Sequence, residues 1–95
     1  MQIDEIIWQQ QFVEKLAIKH GVEKTEVEEV LSNHPRFRFV SKGKRVGEDV
    51  YSAMGQTDAE RYLIVFFIRK SNRRALIISA RDIDRAERRN YGRQK

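Results

Sequence analysis

The sequence predicts an α+β fold: a short first strand, two helices, a four-stranded antiparallel meander and a terminal helix. Three observations predict it. Apolar residues recur at helical spacing in two segments of the first third of the chain. The middle holds four runs of strand character separated by turn residues. An arginine-rich segment with helix-capping chemistry then follows the last apolar run.

Residues 4–8, ending at Trp8, form the first strand. Residues 10–19 read as a helix, because Phe12 and Leu16, flanked by Val13 and Ala17, make an apolar stripe. His20-Gly21 closes it, with Gly21 as a left-handed cap. A second helix spans about 24–32, with Val27, Val30 and Leu31 on one face. Its start has two solutions: Thr25 with Glu28 as a capping box, or Glu23 at the cap with Val22 stapled to Val27. In either case Glu26, Glu28 and Glu29 suit the positive end of the helix dipole.

Pro35 biases His34 away from helical geometry and ends this helix. Arg36 to Val40 alternates polar and apolar, as a strand with one wet face does. A basic connection with two glycines, 41–48, leads to a strand at 49–54 and a turn at Gly55-Gln56-Thr57-Asp58. Leu63 to Ile68 is apolar throughout and reads as a central strand buried on both faces, within a segment starting at Arg61. Residues 69–74 make a hairpin connection to a second buried strand, 75–79, which stops at Ser79-Ala80. The last helix, about 84–92, starts at Asp84 with Glu87 as capping partner. With little apolar surface of its own, it is peripheral or awaits a partner.

Ninety-five residues make one domain, 1–95, with a thin core. No stretch approaches a membrane span, so no membrane partner is expected. Asp4 and Glu5 fall where a signal peptide would be basic. With no cysteine there is no disulfide, no thiolate nucleophile and no cysteine-based zinc site, which fits a cytoplasmic protein. The net charge of +5 is unevenly spread. Residues 1–33 carry three Lys/Arg against seven Asp/Glu, a net −4, and residues 34–95 carry sixteen against seven, a net +9. A basic half of this kind attracts phosphate or an acidic protein surface.

Several short motifs in fixed order carry a family resemblance. They are Trp8, Lys19-His20-Gly21-Val22, Glu26 to Leu31, Gly47-Glu48, Gly55-Gln56-Thr57, Arg61-Tyr62-Leu63, Ile78-Ser79-Ala80-Arg81, Glu87-Arg88 and Tyr91. Together they resemble the BrnT toxins, small RelE-like ribonucleases of bacterial type II toxin–antitoxin pairs. The resemblance implies a RelE-like fold, RNA endonuclease activity and inhibition by a ribbon-helix-helix, BrnA-like antitoxin. Gln9, Phe12 and Leu76 depart from the pattern, since many such sequences carry Asp, Lys and Arg there. Those departures suit the alternative of a weakened module that binds nucleic acid or antitoxin without cutting.

Metal-free RNA cleavage requires a base for the 2′-hydroxyl, cations for the phosphorane and an acid for the leaving 5′-oxygen. Arg61 and Arg81 lie at opposite chain ends of two strands, so antiparallel pairing would make those ends neighbours and let both guanidiniums hold one phosphate. His20 and Glu48 are acid–base candidates, although His20 could simply cap its helix and Glu48 could pair with a nearby cation. Tyr62 reads as half-buried packing. Two histidines far apart do not make a metal site, so neither metal nor cofactor is expected. The nucleic-acid-binding candidates are Lys42, Lys44 and Arg45 in one loop, Arg69, Lys70, Arg73 and Arg74 in another, and Arg85, Arg88 and Arg89 on one face of the last helix. Tyr91, Phe37 and Phe39 could stack on bases or pack in the core. An exposed sheet edge would allow a homodimer.

Overall fold

The computed structural model describes residues 1–93. Five strands form one sheet: β1 (Glu5–Ile7), β2 (Arg36–Ser41), β3 (Val50–Gln56), β4 (Tyr62–Lys70) and β5 (Arg74–Asp82). Their order is β1-β5-β4-β3-β2, with β1 parallel to β5 and every other pair antiparallel. The predicted element order is therefore observed, and β5, the last strand of the meander, sits between β1 and β4.

The helices α1 (Gln10–Lys15) and α2 (Lys24–Ser32) cover one face of the sheet. The first is shorter than the sequence predicts, because residues Leu16–His20 widen into a π-helical turn. Gly21 (φ 61°) closes that turn in the left-handed conformation, and Val22 N–H donates to the Leu16 carbonyl at 3.1 Å. The ambiguous start of α2 resolves in favour of Glu23, whose backbone N–H donates to the Glu26 carboxylate at 3.0 Å. Val22, Val27 and Val30 are buried against Leu63, Val65 and Phe67 of β4 and Ala75, Ile77 and Ala80 of β5. Phe37 and Tyr51 extend this core along the inner face, with Phe37 edge-on to Phe67 at 6.1 Å and Tyr51 stacked on it at 6.1 Å.

Alternation then sends Met54, Ile64 and Phe66 to the opposite, outer face. One irregularity decides what else lies there. Phe67 pairs with Ile77 but Phe66 pairs with Ser79, so Ile78 is an extra residue in β5, a β-bulge. Before the bulge, odd-numbered residues of β5 face the core; after it, Ala80 does. Ser79 and Arg81 are thereby turned to the outer face. The strand also continues past Ala80 to Asp82, paired with Leu63, rather than stopping at Ser79-Ala80. The last helix, α3 (Arg85–Arg93), crosses one end of the outer face. Asp84 caps it reciprocally with Glu87, at 2.8 and 2.7 Å.

Candidate active site

Arg61 and Arg81 reach the same end of the sheet, as antiparallel pairing of β4 and β5 requires, but they lie on opposite faces. Arg61 precedes Leu63 and turns toward the helices. It donates to both carboxylate oxygens of Asp82 (2.8 and 3.0 Å), to both of Glu26 (3.0 and 3.1 Å), and to the carbonyls of Gly21 (2.9 Å) and His20 (3.3 Å). It ties the π-turn and the start of α2 to the end of β5. Hydrogen bonds to Asp82 and Glu26 raise its pKa, so it stays charged, and its donors are spent inside the fold. The expected shared phosphate between Arg61 and Arg81 is therefore not what the structure builds.

Arg81 pairs across the ladder with Ile64 on the outer face and lies 5.8 Å from the Phe66 ring. Its guanidinium meets the Glu87 carboxylate in parallel, Nη1 to Oε1 at 2.8 Å and Nη2 to Oε2 at 2.9 Å. The Arg81 hydrogen bonds hold the Glu87 carboxyl below the usual glutamate range, and the Glu87 hydrogen bonds raise Arg81 in turn. A guanidinium presenting two donors to two oxygens is also the geometry that grips a phosphate.

Arg36 and Arg38 stand on the same face. The ladder places Arg36 beside Met54, Ile64 and Arg81 in one row, and Arg38 beside Ser52, Phe66 and Ser79 in the next. Neither makes a side-chain hydrogen bond or ion pair among the described residues. With α3 they enclose a cavity of about 200 Å³, whose lining adds Ser52, Met54, Ile64, Glu87, Asn90 and Tyr91. Arg36 and Arg38 are not among the site residues expected from the sequence, although the alternation Arg36-Phe37-Arg38 predicts a wet strand face and both arginines are on it.

The acid–base candidates fall elsewhere. His20 is half-buried at the end of the π-turn on the helical side, where its carbonyl receives Arg61. Glu48 lies at the far end of the sheet, ion-paired with Lys70 at 3.2 Å. That is the end where Lys42, Lys44 and Arg45 lie in the β2–β3 loop and Arg69, Arg73 and Arg74 in and beside the β4–β5 turn. Arg73 there is paired with Asp4 at 2.8 Å, and Arg74 Nε donates to the Ser71 carbonyl at 3.0 Å. These loops thus form a second basic region, separated from Arg81 by the length of the sheet. Arg85, Arg88 and Arg89 are exposed on α3, and Arg88 sits 4.3 Å over the Tyr62 ring. Tyr62 is packing, edge-on to Tyr91 at 5.9 Å, and Phe37 belongs to the core. Phe39 stays half-exposed, edge-on to Tyr51.

Among the described residues, no three His, Cys, Asp or Glu side chains converge as metal ligands. No helix is long and apolar enough to cross a membrane. A hollow of about 830 Å³ between the N-terminal segment and α2 is bordered by Asp4, Glu5 and Glu28, the wrong sign for a phosphate chain.

A comparison with curated proteins gave no match. Among solved structures, the fold is similar to the crystal structure of the Brucella abortus ribonuclease toxin BrnT. The TM-score is 0.61 over 85% of this chain and 97% of that one, at 20% identity. The family model described as ribonuclease toxin, BrnT, of type II toxin–antitoxin system matches residues 8–87. On that match the chain belongs to the BrnT family of ribonuclease toxins of type II toxin–antitoxin systems.

Proposed function

We propose that this chain cleaves single-stranded RNA without a metal ion on the outer face of its sheet. One observation carries the reading: Arg36, Arg38 and Glu87 border a concave cavity, and Glu87 in turn holds the guanidinium of Arg81 beside it. The 2′-hydroxyl attacks the adjacent phosphorus, the bond to the 5′-oxygen breaks, and a 2′,3′-cyclic phosphate and a 5′-hydroxyl are released. Arg81 binds the phosphate in the place Glu87 now occupies. Arg36 and Arg38 add positive charge where the phosphorane gathers negative charge.

Losing its guanidinium partner to phosphate raises the basicity of Glu87 and frees its oxygens toward the 2′-hydroxyl. Glu87 accepts that proton, and the leaving oxygen takes one from solvent. The basic loops at the other end of the sheet and Arg85, Arg88 and Arg89 extend the path of the RNA backbone.

A ribbon-helix-helix antitoxin and a cytoplasmic location complete this reading, supported by the family's toxin–antitoxin description. The free edge of β2 is where a homodimer would form, supported by its exposed Phe39 and Val40. The test is cleavage of an unstructured RNA by the purified protein in excess chelator, beside Arg81→Ala and Glu87→Gln. Cyclic-phosphate ends from the wild type, lost in both folded variants, support the proposal. RNA binding with no cut identifies a binding module instead. Activity that needs added metal refutes the metal-free step.

A further inference from the structure

We infer that the cavity between α3 and the sheet is a pocket for one unstacked nucleobase of the RNA; this rests on the ribonuclease reading and gives it a specificity element. A nucleobase has two apolar faces and a polar edge, so its site must offer flat apolar walls and hydrogen-bonding groups around a rim. The floor here is Met54 and Ile64, cross-strand partners on β3 and β4. Tyr91 of α3 closes the other side and is itself fixed edge-on against Tyr62. Around the rim stand the Asn90 amide, which both donates and accepts, the Ser52 hydroxyl and the Glu87 carboxylate.

Arg36 and Arg38 lie on one side of this opening, roughly 7 Å apart along their strand. With no carboxylate partner among the described residues, they are placed for the phosphates flanking an inserted base. The cavity volume, about 200 Å³, accommodates one base and not a base pair. The floor lies in the same ladder row as Arg81, so an inserted base sets which phosphate meets that guanidinium. Sequence preference and cutting position are thereby one geometric event. The larger acidic hollow beneath α2 offers no comparable set, since Asp4, Glu5 and Glu28 repel the flanking phosphates.

Two measurements test the pocket. One maps cut sites on a mixed-sequence unstructured RNA by sequencing the product ends. The other titrates the four nucleoside 3′-monophosphates against the protein and follows the methionine methyl resonances. The wild type should cut beside one preferred base by at least about tenfold, a discrimination within reach of a few base-edge hydrogen bonds. The matching nucleotide should shift the Met54 methyl most.

Asn90→Ala, on an exposed helix surface, should narrow the preference several-fold. Met54→Trp, which fills the cavity, should erase the preference and the methyl response. Thermal unfolding checks each variant, and Asn90→Ala alone decides the matter if Met54→Trp does not fold. Uniform cutting by the wild type, or an unchanged preference in folded Asn90→Ala, overturns the pocket while leaving the ribonuclease reading intact. Base-selective nucleotide binding without any RNA cleavage does the reverse.

Discussion

Replacing Arg61 with Met removes the guanidinium while keeping an apolar stem of similar reach, and so separates structure from catalysis at this end of the sheet. Arg61 is about 30% exposed, and its two carboxylate partners differ: Asp82 is 61% exposed and Glu26 23%. The Asp82 pair is well solvated and contributes about 0–1 kcal/mol. The Glu26 pair is half-buried and charge-assisted, a class that contributes about 1.5–3 kcal/mol. The carbonyls of His20 and Gly21 lose their side-chain donor as well, for roughly 0.5 kcal/mol more.

The sum is about 2–4.5 kcal/mol. For a domain of this size a middle value of about 3 kcal/mol lowers Tm by roughly 12–24 °C. Circular dichroism melts of wild type and Arg61→Met at neutral pH measure the shift. RNA cleavage assayed well below both transitions should fall by less than about threefold, a barrier change of under 1 kcal/mol. A variant with the wild-type Tm and no cleavage refutes the reasoning, because Arg61 would then serve the reaction and not the fold.

Acid should destabilise the protein through Asp82 and Glu87. Their guanidinium partners hold both carboxyls below the ordinary range, so the stabilisation is complete above that range and is lost as pH falls through the depressed values. Urea midpoints across the acid range should show this slope, and Glu87→Gln should flatten it; an identical slope in the variant contradicts it. Phe67→Ala removes a fully buried ring from between Phe37 and Tyr51 and should cost ~3–5 kcal/mol, enough to populate the unfolded state in mild denaturant. Arg38→Ala should weaken binding of a 2′-O-methylated RNA and reduce its log–log salt slope by about 0.7, the contribution of one single-strand phosphate contact. An unchanged slope takes Arg38 off the RNA path.

The elements were legible because each carries a local signal. Gly21 marks the end of the first helical segment, Pro35 marks the end of α2, and the apolar run 63–68 marks a central strand. What the sequence hides is parity. Residues 61, 63, 65 and 67 share the inner face, and strict alternation through β5 would put 75, 77, 79 and 81 there too, making Arg61 and Arg81 companions. The bulge at Ile78 breaks that count. An extra residue among the four consecutive apolar ones, Ala75 to Ile78, leaves no local trace, since Leu76, Ile77 and Ile78 suit either face. Arg36 and Arg38 were legible as wet-face residues but not as site residues, because their neighbours, Arg81 and α3, are more than forty positions away in the chain.

The position of β5 has a consequence for how the protein is made. Glu5 pairs with Arg74, and Ile7 with Leu76, so the first strand finds its partner only after most of the chain has been synthesised. Arg81, Glu87 and Tyr91, which complete the outer face, come later still. At ~5–20 residues per second, roughly 3–14 s separate the synthesis of β1 from that of its partner on β5. The two-helix layer can collapse in that interval, but β1 has no ladder until Arg74 to Leu76 arrive. Nascent chains arrested before residue 74 should leave the β1 amides open to hydrogen exchange, and protected amides there would contradict this order.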